Sequence, residues 1–151
     1  MKKYLLLFLC SIFFIISSCS DNEENTESKT PVTVHQIGKG DLVGTYVPQQ
    51  NMVITTTAQW SALLSNLDAF NNISGGFTET NIDFNQYMII AVFDDVYSNG
   101  GHSIDIMTVD ENLQNIVVDV EKLLTGNVTT VVTQPYHIVK VQKSTKPLLF
   151  Q

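Results

Sequence analysis

Arginine is missing from this sequence. All eight basic residues are lysines (Lys2, Lys3, Lys29, Lys39, Lys122, Lys140, Lys143 and Lys146), set against fifteen acids for a net charge of −7. Arginine supplies the two-pronged donor that grips phosphates and guanine edges. An acidic chain without it is unsuited to the phosphate backbone of nucleic acids, which demands positive charge. No GxxxxGK[ST] or GxGxxG segment is present either, so nucleotide binding is excluded with it. Cysteine is almost as scarce, with only Cys10 and Cys19. No apolar run reaches the roughly 20 residues of a membrane-spanning helix.

The longest apolar run, Leu5 to Ile16, follows Lys2 and Lys3 and precedes Ser17-Ser18-Cys19. A basic start, a short apolar stretch and small residues before a cut site form a secretory signal peptide. Ile16-Ser17-Ser18-Cys19 resembles the lipobox of bacterial lipoproteins. That likeness implies cleavage after residue 18 and a lipid on Cys19 that anchors the chain to a membrane. Cys10 is then lost with the signal, which leaves no disulfide and no free thiol for catalysis or metal binding. Losing Lys2 and Lys3 takes the charge from −7 to −9. Residues 20–30 carry four acids and no apolar residue, the composition of a solvated tether. Acids directly after the lipidated cysteine resemble the export signal that sends some Gram-negative lipoproteins to the cell surface; the alternative is a tether facing the periplasm. The chain therefore divides into a signal peptide (1–18), a lipidated cysteine with acidic tether (19–32) and one globular domain (33–151).

Within that domain, Val32 to Ile37 alternates apolar and polar residues as a half-buried strand does. Thr45 to Val47 and Met52 to Thr55 are further short strand candidates, with Gly38, Gly40 and Gly44 as punctuation. Thr56 to Gln59 fits a capping box. Trp60, Leu63, Leu64, Leu67 and Phe70 then form one apolar helical stripe ending near Asn71. On that stripe Trp60 reads as core. The continuous run Tyr87 to Phe93 suits a central strand covered on both faces. Ser103 to Val109 and Ile116 to Val120 flank a turn at Asp110-Glu111-Asn112, as in a hairpin. Thr129 to Gln134, Tyr136 to Val141 and Leu148 to Phe150 complete the set, and Pro135 implies an edge, bulge or bend. About seven strands and one helix predict an α+β domain built mostly of antiparallel sheet, with the amphipathic helix packed on it.

Several of these segments together resemble the PrcB-type C-terminal domain. They are Ala58-Gln59-Trp60, Ile82-Asp83-Phe84, Met88 to Phe93, Gly100-Gly101-His102-Ser103-Ile104, and Thr133 to Val141. The likeness covers roughly residues 50–150. The family takes its name from a lipoprotein subunit that stabilises a surface protease complex, so the resemblance implies a small exported accessory domain with a protein partner. The chain departs from the family pattern at His102, where an aromatic such as tyrosine is commoner.

Catalytic signatures are sparse. His35, His102 and His137 are the only imidazoles, and none sits in a GxSxG or HExxH setting. Asp94-Asp95 with two histidines offers no helical ligand spacing for zinc. The expectation is a domain that is not an enzyme and needs no metal or cofactor. The best binding candidates are Tyr97, Ser98, Asn99, Gly100, Gly101 and His102, on a glycine-rich loop between strong strands. Tyr136 and His137 beside Pro135 form a second candidate. A protein partner such as an exported protease is expected there. The alternative is a surface polysaccharide or small ligand stacked on Tyr97 and Tyr136.

Overall fold

The computed structural model describes residues 28–151. The signal peptide, Cys19 and the tether up to residue 27 lie outside the described residues. In chain order the elements are β1 (Thr30–Pro31), β2 (His35–Leu42), β3 (Gln50–Ile54), α1 (Thr57–Leu67), a 3-10 turn (Ser74–Gly76), β4 (Tyr87–Phe93), β5 (Asp105–Glu111), β6 (Ile116–Glu121), β7 (Gln134–Gln142) and β8 (Leu148–Phe150). They form two four-stranded sheets, ordered β1-β5-β6-β8 and β2-β7-β4-β3. Every pairing is antiparallel except β6 with β8. The fold is α+β and mostly antiparallel, as the hydrophobic pattern predicts.

Strand β4 explains the layering. Its side chains alternate between two cores, because successive residues of a strand point to opposite faces. Ile89, Ala91 and Phe93 join Trp60, Leu63 and Leu67 of α1, whereas Met88, Ile90 and Val92 join Ile106, Val109, Ile116 and Val118 of the other sheet. The β2-β7-β4-β3 sheet is therefore the middle layer, with the helix on one face and the second sheet on the other. β7 follows the same alternation, with Ile138 facing the helix and Val139 and Val141 facing the sheet. Each such aliphatic or aromatic side chain contributes about 1.5–3 kcal/mol on burial.

The helix begins where its cap dictates. Thr56 has extended backbone, its Oγ1 accepts from Gln59 N at 3.3 Å, and Gln59 Oε1 accepts from Thr55 N at 3.1 Å. It ends earlier than the stripe suggests. Asp68 forms the C-cap and its carboxylate accepts from Ser74 N and Ser74 Oγ, which turns the chain away. Phe70 is thereby left 74% exposed instead of extending the core.

Several strand expectations shift. Thr129 to Thr133 is loop, paired with another segment only through the single Tyr97–Thr133 bridge, and the strand begins at Gln134. Asp110 and Glu111 pair with Val117 and Ile116 as the end of β5, so the turn falls at residues 112–115, where Asn112 Oδ1 accepts from Gln114 N and Asn115 N. The first strand starts at His35, not Val32, and runs through Gly38 and Gly40. A Cβ on Gly38 would lie 2.5 Å from the Phe77 ring, so this glycine admits packing inside the strand. Residues 30–32, assigned above to the tether, already belong to the folded unit: β1 pairs with β5, and Val32 N donates to Val109 O at 2.8 Å. Thr45 to Val47 is not a strand. Its backbone is held by a side chain, since Val47 N donates to Gln134 Oε1 at 2.9 Å and Gln134 Nε2 donates to Val47 O at 2.6 Å. Nε2 also donates to Asp94 O at 2.8 Å. Fully buried, the Gln134 amide stands in for a peptide group between three segments. Pro135 sits in the middle of the sheet, one residue outside the last β4–β7 pair, Phe93↔Tyr136.

Replacing Gln134 with Ala strands two carbonyls and one N–H in a dry interior, a loss of roughly 3 kcal/mol. Urea denaturation of Gln134→Ala beside the parent chain measures it. A loss well under 1 kcal/mol would mean that water replaces the amide and the clamp is dispensable.

Candidate functional site

The loop between β4 and β5 is tied down from its first residue. Asp94 follows the dry strand β4, and its side chain is only 1% exposed. Its carboxylate accepts from Tyr97 Oη at 2.9 Å and Asp95 N at 2.8 Å, and pairs with Lys122 Nζ at 2.5 Å. Hydrogen bonding to Asp94 holds the Lys122 ammonium above its usual range. Burial, followed by the hydrogen bond to Asp94, pushes the Tyr97 phenol up.

Tyr97 then stacks flat on His102, with centroids 3.6 Å apart and 7° between planes. His102 Nε2 lies 3.1 Å from Asn99 Oδ1. A second loop, between β6 and β7, locks the first in place. Tyr97 and Thr133 exchange backbone bonds of 2.8 and 3.0 Å, Gly126 N donates to Gly101 O at 3.0 Å, and Asn127 N donates to Gly100 O at 2.8 Å. Asn99 Nδ2 donates to Asn127 O at 2.8 Å, and Gly100 N to Thr129 Oγ1 at 3.1 Å. Gly126 has φ +98°, and a Cβ there would sit 2.4 Å from His102 Nε2, so only glycine suits this crossing. Residues 97–102 thus form a fixed surface. Ser98 is exposed on it and Gly100 is buried within it.

The second candidate pair lies elsewhere. Tyr136 and His137 are 8% and 7% exposed, on opposite faces of the central strand β7. Tyr136 packs among Phe93 and Phe77. His137 Nδ1 accepts from Ile106 N at 2.9 Å. Both rings belong to the interior because a central strand covered on two sides leaves neither face to solvent. With Tyr136 buried and one face of Tyr97 under His102, the two tyrosines form no exposed aromatic platform. Burial, with the Lys39 charge adding to it and Asp105 opposing, lowers the His137 pKa to about 4. Asp105 itself is buried, which disfavours its charge, but hydrogen bonds from Lys39 and Ser103 overcome that and lower its pKa.

A feature that local sequence patterns do not single out is the clustering of exposed apolar groups. Of the thirteen large ones among the described residues, nine occur at one end of the molecule. Leu123, Leu124, Val128, Val131 and Val132 are on the second loop, and Val96 on the first. Val43 and Tyr46 follow β2, and Phe70 follows α1. Tyr46 Oη donates to Val132 O at 3.4 Å and Asn71 Nδ2 donates to Val43 O at 2.5 Å, which joins these segments. Val128 is 99% exposed. The register places this end opposite Thr30, which pairs with Glu111 at the far end of β5. The chain therefore enters the domain at one pole and carries its apolar loops at the other. A cleft of about 690 Å³, lined by residues that include Thr33, His35, Tyr87 and Lys143, lies at the pole where the chain enters and shares no residue with these loops. Among the described residues no three His, Cys, Asp or Glu side chains gather as a metal site.

Two measurements follow from this geometry. A neutral His137 resists protonation in the fold but not in the unfolded chain. Stability is therefore full above about pH 6.5 and falls by roughly 3 kcal/mol as pH drops toward 4. Urea titrations across that range should show this slope in the parent and a shallower one in His137→Gln; equal slopes would contradict it. Lys122→Ala leaves the buried Asp94 charge with fewer partners and should cost about 2 kcal/mol, more than an ordinary surface pair. A change below 0.5 kcal/mol, about the scatter of neutral surface substitutions, would place Asp94 in contact with water.

No family model, curated protein or solved structure matches this chain.

Proposed function

We propose that this chain is a lipoprotein of the outer membrane or cell surface, anchored through Cys19, whose domain has no catalytic role and binds a protein partner. The apolar pole is the observation that carries this reading. Soluble proteins rarely leave contiguous apolar surface exposed unless something covers it. Here it sits on loops fixed by the Asp94–Lys122–Tyr97 network. A rigid surface loses little conformational entropy on binding, which favours recognition. The position of the patch argues for a protein over the membrane. The chain enters the domain at the opposite pole, so the lipid anchor at Cys19 attaches to the end away from the apolar loops.

The resemblance of residues 50–150 to the PrcB-type domain supports a partner that is an exported protease, which this domain stabilises or restrains. His102, unusual for that family, stacks on Tyr97 and is braced by Asn99, where it stiffens the loop.

Cross-linking and affinity capture from native membranes test the reading. The parent chain should retain a defined partner, and Leu124→Asp with Val128→Asp should reduce its recovery by about tenfold or more, as expected for central apolar contacts. Both side chains are exposed, so the melting temperature should hold. Equal recovery by the variant, or a parent without a partner under every growth condition, would contradict the proposal. Protease added to intact cells should degrade the domain if the tether displays it outside. Survival until the outer membrane is opened would assign it to the periplasmic face.

A further inference from the structure

Sheet edges are open hydrogen-bonding surfaces, and folded proteins blunt them with short strands, bulges, charges, proline or covering loops. Three of the four edges here are blunted. β1 has two residues including Pro31, and β8 has three. β2 has a register slip between Gln36 and Gly38, carries Lys39, and is covered where Thr78 N donates to Ile37 O and Thr78 Oγ1 to Gln36 O. β3 has none of these defences. Gln50-Asn51-Met52-Val53-Ile54 contains no charge and no proline, and pairs with β4 without a break. Beyond β4, its residues bond to nothing among the described residues.

Beside this bare edge lies an apolar groove. It opens between β3 and α1, has a volume of about 250 Å³, and is lined by residues that include Val47, Pro48, Met52, Ala62 and Leu63. None of its lining residues is charged. Met52 faces the helix, while its neighbour Val53 packs toward the second sheet. The groove therefore runs alongside the side-chain row of any strand added to β3.

We propose that β3 is a strand-addition site, which takes an extended segment of the partner protein as a fifth strand of the middle sheet. This rests on the reading of the domain as a protein-binding module and names the form of one contact. The occupant is a polypeptide because the edge offers alternating backbone donors and acceptors, which an extended main chain complements. In such complexes the ladder supplies affinity and side-chain pockets supply selectivity. An antiparallel segment continues the pattern of this sheet. Its residues facing α1 are apolar and uncharged at every second position, to suit the groove. The site adjoins the apolar pole, since Val47 in its wall follows Tyr46, so one partner can cover both.

The test pans random peptides displayed on phage against the full chain in detergent, then follows amide hydrogen exchange with the recovered peptides. The expected peptides alternate apolar residues without Pro, and they slow exchange at residues 50–54. Ala62→Arg, on the exposed face of α1, should weaken their binding about tenfold. Leu124→Asp with Val128→Asp should leave peptide binding unchanged, which separates this site from the apolar pole. Failure to recover any peptide, protection confined to residues 94–103 and 122–133, or tight binding by Ala62→Arg would overturn the proposal. So would a dimer of this chain with residues 50–54 protected in the absence of peptide.

Discussion

Strands β4 and β7 pair over seven residues, and from Met88 to Phe93 both faces of β4 are dry. This two-sided burial is the constraint on which the molecule depends. It requires a helix on one side and a second sheet on the other, and it gives β4 a continuous apolar run, while the apolar stretch of β7 from Tyr136 to Val141 is interrupted by His137 and Lys140. It also sets a strict condition where the strands end, because polar backbone leaving a dry layer needs partners at once. Gln134 and Asp94, side by side at that boundary, meet this need with side chains. Their burial then ties the loops after β2, β4 and β6 into one fixed end.

The apolar pole follows from that arrangement. A loop whose backbone is satisfied internally by Asn99, Asn127, Thr129 and Thr133 has its side chains free to face outward. On the second loop many of those side chains are Leu and Val, and water is their neighbour. The surface is therefore stable in shape and unfavourable in its present surroundings, a combination suited to a partner that arrives and stays. The bare edge of β3 shares this character, with hydrogen-bonding groups in place of apolar area.

What the sequence reveals depends on how local the cause is. The helix start, the strand Tyr87 to Phe93, the hairpin of β5 and β6 and the buried Trp60 all rest on spacing within a dozen residues, and each was legible. The glycine loop 97–102 was also legible as a place, though not as a lock, because its partners Asn127 and Thr133 are about thirty residues away. Thr45 to Val47 has strand composition, yet a glutamine 87 residues on takes the place of its neighbour strand. Tyr136 and His137 look like a surface pair beside a proline. Only the sheet order reveals that their strand is central and that each ring points into a different core. The apolar pole was the least visible, since it is assembled from four segments that meet only in the fold.

The most direct measurement places a photo-cross-linking residue at Val128, on the apolar pole, or at Leu113, equally apolar and 81% exposed at the opposite pole. Irradiated in intact cells, the chain with the label at Val128 should give one defined cross-linked protein and the chain with the label at Leu113 should not. Cross-links from Leu113 instead, or from neither position, would contradict a partner bound at the apolar pole.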